Sequence, residues 1–385
     1  MTEKLYYQNS RLARFSARVT ACEKTKDGWA ISLDKTAFFP EGGGQLADTG
    51  RIGAVRVTDV QERGGEIWHY TAEPIEPGTE YDCAIDSEQR RRRMQNHSGE
   101  HVVSGITHRI NGANNVGFHM GASFMTIDFD KELDWAELME IERLANEAVR
   151  DNIPITAWFP APEELHTLDY RSKLELTENV RIVEIAGVDR CACCAPHVAA
   201  TGEIGFIKIL DSMRHRGGVR ISLVCGMDAL DAVRVMQENV TAVSKVFSAP
   251  RSETGAAAVR FASVEQKLKE RIAELSMALV HMRAEATAAR EGNICVFDEL
   301  LDEAALRELV NLLSEKCTGY AAAFSGNDAE GYRYIIGSRH VDLKKRAREI
   351  NAGIDGRGGG RSEMLQGRAA KDAESIREFI KNNNV

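Results

Sequence analysis

The hydrophobic period of this chain changes three times along its 385 residues, and that succession limits the fold more than any single motif does. Up to about residue 85 apolar residues alternate in short runs: 17–23, a turn at Lys26-Asp27-Gly28, a return over 29–33, then 55–60 and 67–70 around Gly64-Gly65. Strands this short and numerous, joined by tight turns, suit a small β-barrel. Between the hairpins lies Phe38-Phe39-Pro40-Glu41-Gly42-Gly43-Gly44-Gln45. It predicts a loop whose adjacent glycines permit positive φ and close approach of backbone to a ligand.

The second period is helical. It follows four arginines, Arg90, Arg91, Arg92 and Arg93, and carries Met94, His97, His101, Val102, Ile106 and Ile110. A strand over 123–129 and an amphipathic helix through Leu138, Ile141, Leu144, Ala145 and Ala148 come next, with Pro154 just past the helix end. The run 180–185 reads as a strand leading into Cys191, Cys193 and Cys194, and 204–210 with 219–225 as a strand pair. The third period is a heptad: Leu268, Ile272, Leu275, Leu279, Met282 and Ala286 are spaced 4-3-4-3-4. Such a seam packs against another helix, either its neighbour or one from a second subunit. From 294 the chain alternates strand and helix, with a predicted loop Gly356-Arg357-Gly358-Gly359-Gly360-Arg361.

These periods predict an α+β multidomain chain: a barrel over 1–85, an α+β domain over 86–226, a helical hairpin or coiled coil over 227–290, and an α/β domain over 291–385. No apolar run reaches the ~18 residues of a membrane span, and the N-terminus lacks the apolar core of a signal peptide. Eight cysteines, three of them clustered, point to metal or redox chemistry rather than a disulfide scaffold. The expected setting is soluble and cytoplasmic. A net charge of −9 argues against indiscriminate nucleic-acid binding, yet 331–371 carries ten Lys/Arg against four Asp/Glu.

His97 and His101 are four apart on a predicted helix, so both imidazoles leave one face about a turn apart. Cys193 and His197 repeat the separation. Chance alone puts both pairs in one chain about one time in twenty, so the context must carry the reading. Mixed thiolate and imidazole donors suit Zn²⁺, with Cys191 and Cys194 as rivals for the sulfur position.

His97-Ser98-Gly99-Glu100-His101-Val102-Val103-Ser104-Gly105 resembles the HxxxH helix of alanyl-tRNA editing domains. Glu142-Arg143-Leu144-Ala145-Asn146-Glu147 and Thr201-Gly202-Glu203-Ile204-Gly205 resemble two further stretches of that family, and Cys193-Cys194-Ala195-Pro196-His197 its CxxxH motif. Its commonest filling there is Gly-Gly-Thr; here it is Cys194-Ala195-Pro196. The glycine loop resembles that of the longer members, and Gly358-Gly359-Gly360-Arg361 resembles the DHH-associated domain that ends alanyl-tRNA synthetases. The combination is similar to the long AlaX-type editing proteins. The chain begins at the barrel, where a synthetase would first carry an aminoacylation domain, and it has no Asp-His-His triplet.

The resemblance implies hydrolysis of the ester on mischarged tRNA(Ala), chiefly Ser-tRNA(Ala) and also Gly-tRNA(Ala), at one Zn²⁺ per chain held by His97, His101, Cys193 and His197. It makes Gln45 an orienting side chain and Phe118 and His119 candidate pocket walls, His119 reading the serine hydroxyl. The basic residues Arg90, Arg91, Arg92, Arg93, Lys344, Lys345, Arg346, Arg357 and Arg361 become candidates for tRNA phosphates. The competing expectation is a non-catalytic tRNA-binding protein with a closed structural zinc site.

Overall fold

The computed structural model describes residues 1–172 and 179–383 and divides the chain into two compact units, Met1–Val240 and Thr241–Val385. In the first unit six strands close a barrel in the order Arg14–Lys24, Trp29–Leu33, Glu66–Thr71, Val55–Arg63, Gly50–Ile52 and Glu80–Ile85. Alternation explains the closure. Val19, Ile31, Leu33, Ile52, Val57, Val60 and Ile67 point inward and are fully buried around Phe38.

The Ser87–Asn111 helix begins directly after the barrel, so the four arginines lie in its first turns rather than ahead of it. It ends at Gly112, whose left-handed φ of 62° stops the helix without strain. A four-stranded sheet runs Ile207–His215, Gly218–Cys225, Met125–Phe129, Asn115–Met120. The Ser87–Asn111 and Trp135–Arg150 helices share one core with it, built on Val102, Ile106, Ile127, Phe129, Leu138, Ile141, Ile221 and Leu223. The Trp135–Arg150 helix starts at a capping box, Asp134 accepting from the Glu137 N–H while Glu137 accepts from the Asp134 N–H, both at 2.8 Å. The Glu142–Glu147 stretch proves to be a tether. Asn146 pairs with both backbone groups of Ile207, and Glu142 accepts from Lys208 and the Ile209 N–H. A three-stranded sheet, Ile155–Trp158, Ile182–Ile185 and Asp189–Ala192, completes the unit.

The Met227–Phe247 helix contains the division between units. In the second unit the Thr254–Ala286 helix packs at home through a face beside its seam, to which only Leu279 of the seam contributes. Val280 and Ala284 are buried against Leu306, Leu309 and Leu313, with Leu279 packed beside them. Leu268, Ile272, Leu275 and Met282 remain more than half exposed.

A five-stranded sheet follows: Ile294–Phe297, Ala321–Asn327, Gly331–Gly337, Met364–Ala369, Gly356–Arg361. The glycine-rich run expected as a loop is therefore its edge strand. A Cβ at Gly358 would sit 2.3 Å from both the Gln366 carbonyl and the Tyr334 hydroxyl, so only glycine lets this strand pair so closely. Among the described residues no helix is long and apolar enough to cross a membrane.

Candidate metal centre and its surroundings

Three histidines and one cysteine converge in the first unit. The His97, His101, Cys193 and His197 ligand atoms all lie within 4.8 Å of one another. His97 Nε2 is 3.5 Å and His197 Nε2 3.3 Å from Cys193 Sγ. The two histidines of the helix stack with ring centroids 5.5 Å apart, as an i, i+4 pair should. Of the three clustered cysteines, Cys193 joins all three histidines; Cys191 lies instead beside Asp189 and the far side of His101, and Cys194 is exposed.

Each imidazole has its own partner on the nitrogen turned away from the centre. His97 Nδ1 donates to Gln45 Oε1 at 2.9 Å, His101 Nδ1 to Asp189 Oδ2 at 2.8 Å, and His197 Nδ1 to Ser98 Oγ at 3.2 Å. With a metal bound, these partners would hold each ring with Nδ1 protonated and Nε2 turned inward. Asp189 is held in turn by Arg171, Nε to Oδ1 at 2.7 Å and Nη2 to Oδ2 at 2.9 Å. Burial raises the Asp189 carboxyl, but His101 and Arg171 outweigh it and hold it below the usual range.

The electrostatics suit a cation. Burial works to raise the Cys193 thiol, yet the adjacent His97 and His197 imidazoles hold it well below its ordinary range, so it is a thiolate. Burial pushes His197 down to about 3, so it is neutral. Burial works to lower His101 too, but Glu100 and Asp189 outweigh it and hold it well above its ordinary range, so a bound metal would have to displace its proton. The donor set therefore fits a divalent metal that accepts nitrogen and sulfur.

Close packing brings these elements together. A Cβ on Gly105 would lie 2.4 Å from the Val188 carbonyl and 2.6 Å from Asp189 Cβ, so this glycine lets the helix touch the strand that carries Asp189. Arg181 holds the Cys193–His197 loop, donating from Nη1 to the carbonyls of Cys193 at 3.0 Å and Ala195 at 2.9 Å. In place of the family's commonest filling, Ala195 is fully buried against Tyr6 and Phe39. Neither Ser98, Asp189, Arg171 nor Arg181 was singled out from sequence. Ser98 alone carried a hint, lying inside the HxxxH stretch.

Three sequence expectations change. His119 does not face the centre. Phe118 and His119 are consecutive on the Asn115–Met120 strand, so they point to opposite faces. Phe118 packs on His97 with centroids 5.0 Å apart, while His119 is exposed opposite Thr126. Arg90 does not face solvent. It is 4% exposed, its guanidinium paired with Asp48 and donating to the carbonyls of Ser10 and Ala37. Arg93 likewise turns inward toward the Ala47 carbonyl and Asp48. Arg91 is exposed, and Arg92 pairs with Asp228 at 2.6 Å. Lys344, Lys345, Arg357 and Arg361 are exposed on the second unit.

Residues 180–222, which carry Cys193 and His197, match the family described as Threonyl and Alanyl tRNA synthetase second additional domain. Residues 291–384 match the DHHA1 domain. The alanine–tRNA ligase of Natronomonas pharaonis is 34% identical over 300 residues, covering 74% of this chain and 32% of the ligase. That of Methanococcus maripaludis is 27% identical over 398 residues, 98% of this chain and 43% of the ligase. Its homologues are alanyl-tRNA synthetases. The chain spans less than half the length of these curated relatives. The two domain matches also fit an alanyl-tRNA editing protein of the AlaX kind. Among solved structures, the C-Ala domain of Aquifex aeolicus alanyl-tRNA synthetase is similar at 23% identity and TM-score 0.20, covering 25% of this chain and 90% of that domain.

Proposed function

We propose that this chain hydrolyses the aminoacyl ester of mischarged tRNA(Ala), chiefly Ser-tRNA(Ala) and also Gly-tRNA(Ala), at one Zn²⁺ held by His97, His101, Cys193 and His197. The observation that carries the reading is the inward-facing donor set, each imidazole fixed by its own partner. The similarity to alanine–tRNA ligases supplies the tRNA. A synthetase pocket shaped for alanine cannot strongly reject an amino acid that differs by a hydroxyl or a methyl, so a second site must remove errors. Zinc bound here would supply Lewis acidity toward the ester or hold the α-amino group. The chain's own residues set the geometry. Gln45, Asp189 and Ser98 orient the imidazoles, and Phe118 covers His97 against water.

On this reading the partition follows the sequence periods: barrel 1–85, editing domain 86–226, helical segment 227–290, and DHH-associated domain 291–385. Lys344, Lys345, Arg357 and Arg361 would meet tRNA phosphates, with Arg91 a further contact beside the barrel. Phosphate contacts position the RNA without reading its sequence. The exposed seam of Leu268, Ile272 and Leu275 would join two chains as a homodimer, and the setting would be cytoplasmic. Sedimentation that finds single chains would remove the dimer.

Four ligands close a tetrahedron, which is the observation favouring the rival reading of a structural zinc in a tRNA-binding protein. Deacylation of Ser-, Gly- and Ala-charged tRNA by substoichiometric protein separates the two. Multiple turnovers on Ser-tRNA(Ala) are expected; binding without any release of amino acid would establish the rival. Elemental analysis should find one zinc per chain, lost together with activity in His101→Ala.

A further inference from the structure

Four aromatic rings run in file from the Cys193–His197 loop to solvent. Phe39 meets Tyr6 with centroids 5.4 Å apart, Tyr6 meets Tyr7 at 4.7 Å, and Tyr7 meets Phe159 at 5.4 Å, every contact edge to face. The inner end is core. Tyr6 and Phe39 are buried on Ala195, and Tyr7 packs on this cluster together with the donor Cys193. The outer end is open: Phe159 is 50% exposed. A lone exposed phenylalanine is ordinary on a protein surface. One that ends a file of packed rings beside a donor centre calls for a partner.

The ring is also held in place. Phe159 follows the Ile155–Trp158 strand and precedes Pro160, which restricts its backbone to extended conformations. An edge-to-face contact, unlike a stack, leaves at least one face of Phe159 uncovered by Tyr7. Cations gather at its neighbour. The Arg181 guanidinium lies 5.2 Å from the Tyr7 ring centroid while its Nη1 holds the carbonyls of Cys193 and Ala195. Lys4 Nζ lies 5.9 Å from the same ring.

A fixed aromatic face with cations beside it is how proteins hold single-stranded nucleic acid, because every base has a π-face and stacking tolerates any sequence. Bases inside a duplex are already stacked on one another, so the partner must be unpaired. The 3′ end of a tRNA is unpaired, and it carries the ester. We propose that Phe159, backed by Tyr7, stacks on a base of that unpaired 3′ end and so brings the ester to the donor cluster. This rests on the hydrolase reading above and adds a contact to the RNA beside the chemistry. The ring touches the RNA and not the amino acid, so it acts alike on seryl and glycyl substrates.

The test is binding of uncharged RNA hairpins to the zinc-loaded full chain, which needs no turnover. One hairpin copies the acceptor stem of tRNA(Ala) with its unpaired 3′ end; in the other the unpaired nucleotides are abasic. Phe159→Ala removes the ring, Phe159→Leu keeps apolar bulk without a π-face, and Phe159→Trp restores one. The alanine and leucine variants should bind the first hairpin at least about fivefold more weakly with zinc content unchanged, and the tryptophan variant should bind as the wild type does. All four chains should bind the abasic hairpin alike. In deacylation, Phe159→Ala should raise KM for Ser-tRNA(Ala) and Gly-tRNA(Ala) by the same factor and leave kcat unchanged. A Phe159→Ala chain that binds the first hairpin as the wild type does, or a loss that persists on the abasic hairpin, would overturn the stacking contact; so would a wild type indifferent to whether the bases are present. Ser-tRNA(Ala) turnover by the wild type would leave the hydrolase reading standing in each of those cases. Ring-dependent binding without any deacylation would keep the contact and overturn the hydrolase reading instead.

Discussion

At the scale of single residues, the convergence of the four donors was legible and their supporting partners were not. His97 with His101, and Cys193 with His197, announce themselves because each pair is local and its spacing has a geometric meaning on a helix or tight loop. Asp189 reaches His101 across 88 positions, and nothing in its sequence surroundings separates it from a surface carboxylate. We expect Asp189→Asn to weaken zinc affinity by about ten- to a hundredfold, measured by chelator competition, because His101 loses its charged partner and Arg171 its counter-ion. An unchanged affinity would make Asp189 a folding residue only. The arginine run teaches the complementary lesson. One helical turn divides it, so Arg90 is buried on Asp48 while Arg91 is exposed. Removing one partner of a buried pair strands the other, so Arg90→Ala should cost about 3–5 kcal/mol in denaturant unfolding. Arg91→Ala, on the surface, should stay within about 0.5 kcal/mol. Equal effects would contradict the burial.

Elements were read well where apolar period was strong and poorly where glycine and polar residues dominated. The barrel strands and the amphipathic helices carry alternating or 3.6-residue patterns and stand where those patterns place them. The Asn115–Met120 strand contains asparagine, glycine and histidine, which disguise it as a turn, and without its parity the facing of His119 could not be assigned. The edge strand Gly356–Arg361 was hidden for a similar reason. Its register is imposed by the Met364–Ala369 strand and by the room its missing side chains leave. Contact between elements also decides the outcome at Gly105. Alanine is worth about 1 kcal/mol more than glycine inside a helix, so propensity predicts that Gly105→Ala stabilises. The added methyl would meet the Val188 carbonyl at 2.4 Å, and overpacking of this kind costs about 1–3 kcal/mol. Packing should win: we expect a lower unfolding midpoint and weaker zinc binding as Asp189 is pushed from His101. A higher midpoint with zinc affinity intact would refute the close helix–strand approach.

For the molecule as a whole, stability should depend on pH through a histidine outside the donor cluster. His69 is buried in the barrel between the Thr36 hydroxyl at 2.9 Å and the Ile31 carbonyl at 3.0 Å. Burial lowers it from 6.5 to about 4. The unfolded chain therefore takes up this proton first, between pH 6.5 and 4. Stability is full above about pH 6.5 and is lost as the pH falls toward 4. The loss from this one group should reach about 2 kcal/mol by pH 5. Chemical denaturation at pH 7 and pH 5 should show a shallower acid loss in His69→Gln than in the wild type; identical losses would remove His69 as the cause.

The centre also imposes an order in time. Its two halves lie 96 positions apart, His97 on the helix after the barrel and Cys193 beyond the second sheet. A ribosome adding roughly 5–20 residues per second needs about 5–20 s to pass from one to the other. During that interval a nascent chain would offer a metal only His97 and His101, two donors of the four. On the proposed metal reading, selection of the ion would thus wait until the Cys193–His197 loop arrives. The ion would then cross-link segments that were made many seconds apart.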